Sequence, residues 1–358
     1  MENNFKMNTF SSDQKKKLQT RTKTSILVVA VSFAILFFGM LSSYDNPWFK
    51  YSSEEYTQEG ISTMFALVLA FILLGIAYQC LVEYMNCCFK NSIKFFRTYS
   101  KILYFLSIVI GFVFCLAMLN DPEPFSDYGY VFLGVGIVPI VVLAVLWYIA
   151  LFNEHGSKFN KITAPLMAIV LPMTFFAIYY ILIFKFFTTF LFLLLITWCA
   201  DSFAYLGGSF FGKHKLAPKI SPNKTIEGFL ISLVLTLCLL LAIAGIFSLN
   251  PNIQGDLLGS HEFSENSNMK INNIGWWLSL SAILIVLILA DTLGDLSFSV
   301  IKRKNNIKDF SQFLPGHGGV LDRIDALIFI VCIYTLICFV WSIDSDHTIY
   351  LFFTGSQW

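Results

Sequence analysis

The sequence predicts an all-α fold: a polytopic integral membrane protein of about nine transmembrane helices with its N-terminus in the cytoplasm. Three observations lead there. Of the 358 residues, 56% are hydrophobic and 13% charged, with a mean hydropathy of +0.69, whereas a soluble domain carries about 25% charged residues. The apolar residues gather into runs near the length that crosses a bilayer as a helix, about 20 residues. The segments between the runs alternate between basic and acidic.

The runs are Ser25–Ser43, Ile61–Leu81, Ile102–Leu119, Tyr130–Phe152, Thr163–Leu182, Phe187–Tyr205, Gly228–Leu249, Trp276–Ser299 and Ala326–Ile343. Only a short link around Lys185 separates the fifth from the sixth, so eight spans are the alternative. Pro165 and Pro172 predict a kink in the fifth, which membrane helices tolerate. The first run follows a long basic leader and lacks a small-residue cleavage site, so it reads as an anchor rather than a signal peptide. Four regions follow: a basic cytoplasmic leader at 1–23, N-terminal transmembrane helices at 24–185, a C-terminal transmembrane region at 186–343, and a tail at 344–358.

Orientation follows from Lys and Arg, which accumulate on the cytoplasmic side. With nine spans and the N-terminus inside, all of the 24 Lys and Arg except Lys50, Lys185 and Lys270 are cytoplasmic. The opposite side carries Glu54, Glu55, Glu59, Asp121, Glu123, Asp127, Glu262 and Glu265. Eight spans would put either the leader or the polar block after residue 299 on the wrong side. This separation of sign also argues against a nucleic-acid partner, which calls for a broadly basic surface. The eight cysteines lie mostly within apolar runs and form no C-x-x-C pair, so they read as reduced packing residues.

Ionisable residues at the edge of a span cost several kcal/mol unless paired or wet, so each is a functional candidate. Asp291, Asp295, Ser299 and Lys302 recur at i, i+4, i+8 and i+11, on one helical face. Two carboxylates one turn apart repel unless a cation or proton lies between them. Magnesium suits such a pair, because it takes one or two carboxylates and leaves its other positions to water and phosphate. The bland alternative is a carboxylate–lysine pair along a helix. Asp322 and Asp325 share a face at the start of the last run, just after a His317-Gly318-Gly319 turn that lets backbone approach a ligand closely. His317 has three readings: metal ligand, phosphate donor or support of the turn. Gly207 to Lys213 fits a G-x-x-x-x-G-K loop, but His214 replaces the Ser/Thr and a membrane helix precedes it, so it is rejected as a nucleotide loop.

The stretch SVIKRKNNIKDFSQFLPGHGGVLDRID, Ser299 to Asp325, resembles the signature of the phosphatidate cytidylyltransferases, or CDP-diacylglycerol synthases. It matches at Ser299, Lys302, Arg303, Lys308, Asp309, Pro315, His317, Gly318, Gly319, Asp322, Arg323 and Asp325. A second cluster fits the same family at Asp201, Ala204, Tyr205 and Gly208, then at Ser221, Pro222, Lys224, Thr225, Glu227 and Gly228. The resemblance covers roughly the half of the chain from Asp201 onward. It departs at Asn223, where a second lysine is common, at Ile226 for Trp, and at Phe298, where Glu often precedes the signature serine.

The resemblance implies a reaction of CTP with phosphatidate to give CDP-diacylglycerol and pyrophosphate in phospholipid biosynthesis. It implies Mg²⁺ held first by Asp295 and Asp322, then by Asp291 and Asp325, with a second cation accommodated in that set. Lys302, Arg303, Lys308 and Arg323 would draw in both phosphates, and Ser299 would bind a phosphate oxygen. Lys224, Ser221, Thr225 and Asp201 would meet the nucleotide, together with Gly318, Gly319 and His317, for which phosphate or structural duty is favoured. Membrane lipid is the implied partner and a homodimer the oligomeric expectation. The implied location is a bacterial plasma membrane, with the active site facing the cytoplasm. Two rival readings stand beside this one: a transporter, which would carry its charges near the midplane, and the same chemistry on an ether-linked or polyprenyl phosphate.

Overall fold

A computed structural model describes residues 12–42, 55–88, 158–184, 187–248 and 274–343 apart from position 317, together with positions 102, 105 and 109. The runs predicted at 102–119 and 130–152, the loop at 250–275 up to 273, the tail at 344–358 and His317 lie outside the described residues.

Helices form where the apolar runs lie and extend beyond them into polar sequence. They are α1 (Ser12–Ser42), α2 (Glu55–Cys88), α3 (Lys158–Phe184) and α4 (Phe187–Phe211), followed by α5 (Ile226–Ser248), α6 (Ile274–Lys304) and α7 (Leu321–Ile343). The reason is that a bilayer leaves every backbone amide to be satisfied within its own segment, so a span winds fully. The helix of α3 runs unbroken through Pro165 and Pro172. Among the described residues, five stretches are long and apolar enough to cross a membrane: Thr22–Ser42, Met64–Cys87, Thr188–Phe211, Ile226–Ile246 and Trp277–Lys304. The runs predicted at 163–182 and 326–343 are helical as well.

The expected all-α fold needs one amendment. Strands β1 (Lys215–Ala217) and β2 (Ser221–Thr225) form an antiparallel pair, with Lys215 opposite Thr225 and Ala217 opposite Ser221. Ile220 N closes the turn by donating to Ala217 O at 3.1 Å. The segment between α4 and α5 is too polar to stay in lipid, and pairing with itself satisfies its backbone.

Burial sorts these residues by contact and hardly at all by polarity. On α2, Ala66, Leu69, Ala70, Leu73, Ala77, Cys80, Leu81 and Tyr84 recur at helical spacing and are buried, while Met64, Phe71 and Tyr78 on other faces are exposed. Apolar residues on both faces are what a helix in lipid requires, since hydrocarbon is no better a solvent for Leu on one side than the other. Close approach is then set by small residues. A Cβ on Gly228 would lie 2.6 Å from Ala204 O and 2.9 Å from Gly208 N, and one on Gly294 would lie 2.9 Å from Phe329 Cβ. Glycine therefore lets α5 lie on α4 and α7 on α6, the two most extensive helix pairings among the described residues.

Candidate active site

Among the described residues, several links tie the helices together at one end of the bundle. Thr24 Oγ1 of α1 donates to Pro315 O at 3.3 Å, and Ser311 Oγ donates to Glu83 of α2 at 2.7 Å. Asn160 of α3 donates to Asn305 Oδ1 just past α6 at 2.8 Å. Arg303 of α6 donates to Ile220 O between the strands at 3.3 Å, and Lys224 of β2 is ion-paired with Asp295 of α6. Thr24, where the apolar part of α1 begins, thus touches the Pro315–Gly319 turn.

The polar face expected on α6 is present. Asp291, Ser299 and Lys302 are buried and Asp295 is half-buried, while Leu293 faces outward. Asp291 lies within electrostatic reach of Asp201, Asp295 and Asp325, and Asp325 within reach of Asp295 and Asp322. Asp201 of α4 faces the same group, in reach of Lys224, Asp295 and Arg323. Asp201, which the resemblance assigns to the nucleotide, is exposed.

Lys224 and Lys302 hold this charge in balance. Lys302 Nζ donates to Asp322 Oδ1 at 2.9 Å and to Asp325 Oδ2 at 3.4 Å, and lies 5.4 Å from the centroid of the Phe310 ring. Asp322 Oδ2 accepts two backbone amides, Phe310 N and Gly319 N, each at 2.9 Å. Asp322 is therefore both an acid of the site and the organiser of the loop that precedes it. A buried ion pair is tolerated only when further hydrogen bonds satisfy the remaining lone pairs, and Asp322 meets that condition. Asp291 differs: its Oδ1 is buried and has no hydrogen-bond partner among the described residues.

The turn between α6 and α7 owes its shape to glycine. Gly316 and Gly318 have φ of 81° and 87°, values that L side chains rarely adopt. Leu314 N donates to Gly318 O at 2.9 Å and closes the turn. Gly319 is buried beneath it, and Lys308 and Arg323 are exposed on either side in sequence. Arg303, expected to draw phosphates, donates to Ile220 O and, at 2.9 Å, to Ile307 O, which makes it a tie between the hairpin and the end of α6.

The hairpin brings the second cluster over the first. Thr225 is buried, and its Oγ1 accepts Gly228 N at 3.1 Å, capping the start of α5. Glu227 accepts the backbone amides of Lys213 at 3.0 Å and His214 at 3.1 Å, and meets His214 Nδ1 at 2.6 Å. Ser221 and Lys224 lie on β2. Phe298, the departure beside the signature serine, is fully buried edge-on to Phe310 and Phe329, with centroids 6.0 and 6.1 Å away. Aromatic packing fills the place where a carboxylate is common.

Sequence reasoning missed Glu83, which is buried near the end of α2 and accepts from Gln79, Ser311, Val320 and Leu321. Two signals mark it. It is an acid just past the apolar run that ends at Leu81, and the segment ahead of α7, Gly318-Gly319-Val320, holds no Ser, Thr, Asp or Asn to cap the helix.

The residues suit a divalent cation in part. Carboxylate oxygen is the donor that magnesium prefers, and Asp291 Oδ1 is a buried acceptor without a partner. Among the described residues, no group of three His, Cys, Asp or Glu side chains converges on one point. Magnesium needs only one or two carboxylates when phosphate supplies the rest.

Comparison with known proteins gives the family of the chain. Residues 19–341 match the cytidylyltransferase family. A phosphatidate cytidylyltransferase of Haemophilus influenzae is 42% identical over 137 residues, covering 38% of this chain and 41% of that protein. Those of Staphylococcus aureus and Staphylococcus haemolyticus are 40% and 38% identical over 141 residues, covering 39% of this chain and 45% of theirs. The matched stretch thus spans less than half the length of each relative. With the match to the family running from α1 to α7, the chain belongs to the cytidylyltransferase family.

Proposed function

We propose that the protein transfers the cytidylyl group of CTP to phosphatidate, giving CDP-diacylglycerol and pyrophosphate, on the cytoplasmic side of a bacterial plasma membrane. The observation that carries this reading is a group of carboxylates balanced by Lys224 and Lys302 at one end of a bundle of membrane helices. A site of this kind suits a water-soluble polyanion meeting a lipid-borne one. The curated relatives carry the name of this activity.

The nucleophile is a phosphate oxygen of the lipid, anionic at neutral pH, so no general base is needed. It forms a bond to the α-phosphorus as the bond to the bridging oxygen breaks, and pyrophosphate leaves with the electron pair. What the protein supplies is charge balance and in-line placement. Lys308 and Arg323 are exposed beside the turn, where phosphate oxygens would meet them. Lys224 and Ser221 approach the nucleotide from the hairpin, and the backbone at Gly318 and Gly319 offers a close surface. Lys302 is committed to Asp322 and Asp325, so it holds the acids in place. Ser299 lies on the same face of α6, placed to donate to a phosphate.

Mg²⁺, when bound, neutralises triphosphate charge and stabilises the leaving pyrophosphate. Asp295 and Asp291 of α6 would hold it with Asp322 and Asp325 of α7. The unpartnered oxygen gives Asp291 a stronger claim than its spacing alone does. Lys224 stands in for a cation beside Asp295 and is poised to move onto phosphate.

The test is incubation of purified protein with labelled CTP and a panel of lipid phosphates, with and without a chelator. Label should enter CDP-diacylglycerol with phosphatidate and Mg²⁺, vanish with chelator and return with Mg²⁺. Asp295→Asn should lose at least about 100-fold in turnover while inserting normally. Transfer only to another lipid phosphate would replace the substrate, and no transfer to any would overturn the reading.

A further inference from the structure

We propose that Glu83 of α2 is the positioning residue of the active-site loop. It holds the start of α7, and through it Asp322 and Lys302, in working geometry. The inference rests on the reaction proposed above for that site, but the clamp itself is tested separately below.

The start of a helix leaves its first amides without partners inside the helix. In a capping box a side chain at the cap accepts an amide of the first turn, and an acid in that turn reaches back to the cap. The second half is present in the usual form: Asp322, in the first turn of α7, accepts Gly319 N at 2.9 Å. The first half is absent from local sequence, because Gly318, Gly319 and Val320 have no side-chain acceptor.

Glu83 provides it from more than 230 residues away: Oε1 accepts Val320 N at 3.1 Å and Oε2 accepts Leu321 N at 2.9 Å. The same carboxylate accepts Ser311 Oγ at 2.7 Å, so it grips both limbs of the loop. Gln79, one turn earlier on α2, donates to Oε1 at 3.0 Å and sets its orientation. A negative charge at a helix N-terminus also opposes the positive end of the helix dipole.

The neighbours fit this role. Gly319 packs so closely that a Cβ there would lie 2.9 Å from Glu83 Cδ. Tyr84, next to Glu83, packs on Phe310 with centroids 6.4 Å apart, and Phe310 N is the other amide held by Asp322. Glu83, Asp322 and Lys302 therefore form one chain of contacts from α2 to the acids of the site. The groups that Glu83 binds belong to the loop, the start of α7 and its own helix, so it acts on the acids through the loop.

The experiment uses the full chain in detergent, comparing wild type with Glu83→Ala, Glu83→Gln and, as a control for damage to α2, Leu73→Ala. Leu73 is a buried packing residue far along the helix from the loop. Two readouts are taken: amide hydrogen exchange of 318–322, and kcat and KM for CTP per folded molecule. Loss of a supporting partner commonly lowers activity about 10- to 100-fold. Glu83→Ala should therefore speed exchange at Val320 and Leu321 and lower kcat about 100-fold, with KM for CTP within about threefold. Glu83→Gln, which keeps one acceptor oxygen, should recover part of both, and it serves alone if the alanine variant does not fold.

Leu73→Ala should lower stability yet leave both readouts unchanged. Wild-type exchange and kcat in a folded Glu83 variant would overturn the proposal. So would an equal change in Leu73→Ala, which would make the effect one of general stability. A wild-type protein inactive on CTP would sink the proposed reaction, while exchange would still decide whether Glu83 clamps the loop.

Discussion

Lys302 shows how one side chain decides whether a cluster of acids can exist. It is buried, and its ammonium serves Asp322 and Asp325, each nearly inaccessible itself. Removing one partner of a buried pair strands the other and costs about 3–5 kcal/mol. Lys302→Met should therefore lower the thermal midpoint in detergent sharply and abolish turnover. Adding Asp322→Asn should restore part of the stability, because one stranded charge is gone, but none of the activity. Equal midpoints for Lys302→Met and wild type would show that this lysine is dispensable to the frame.

The same scale shows what sequence could and could not reveal. Asp291, Asp295, Ser299 and Lys302 were readable as one face because helical spacing is local information. That Asp201 joins them was not readable, since it depends on how α4 lies against α6. Glu83 was harder still: its partners are mostly backbone amides, which carry no residue identity and leave no spacing in the sequence. Arg303 and Thr225 were legible as polar residues of the site, but their bonds to Ile220 and Gly228 belong to the fold.

At the scale of elements, apolar runs located the helices, while the ends of the helices were set by the polar residues that continue them. α2 begins at Glu55 and α6 ends at Lys304, beyond the runs that predicted them. The β1–β2 hairpin was invisible because three- and five-residue strands leave almost no periodic signal. Glycines at the α4–α5 and α6–α7 crossings fix how closely the elements lie. Gly228→Ala would drive a methyl into Ala204 O and Gly208 N, and backbone atoms cannot step aside as a flexible side chain would. Overpacking of this kind costs about 1–3 kcal/mol. Thermal unfolding should report that loss, with a rise in KM for CTP because the hairpin moves with α5. A variant as stable as wild type would mean that the helices separate freely.

At the scale of the molecule, polar contacts gather at one end of the bundle and apolar surface covers the rest. Exposed Phe33, Phe71, Ile162, Leu230, Ile246 and Leu278 belong to five helices and would face acyl chains. The contact of Thr24 with Pro315 ties the beginning of the apolar part of α1 to the turn before α7. On the proposed orientation the leader and that turn would share one side of the membrane. Cysteines introduced at Lys23, Lys219 and Asn306 should all react with a membrane-impermeant thiol reagent from the cytoplasmic side, in a background lacking native cysteines. Labelling of Lys23→Cys from the opposite side to Asn306→Cys would refute the arrangement.

The distance in sequence between Glu83 and Leu321 also bears on how the protein is made. Translation threads α2 into the bilayer long before α7 leaves the ribosome, so the carboxylate must wait through most of synthesis for the amides it will hold. On the proposed role of Glu83, a chain stopped short of the last helix would insert without those amides and its reaction centre would stay slack. Ribosomal stalling or premature termination would then release an inert membrane protein instead of a half-working enzyme.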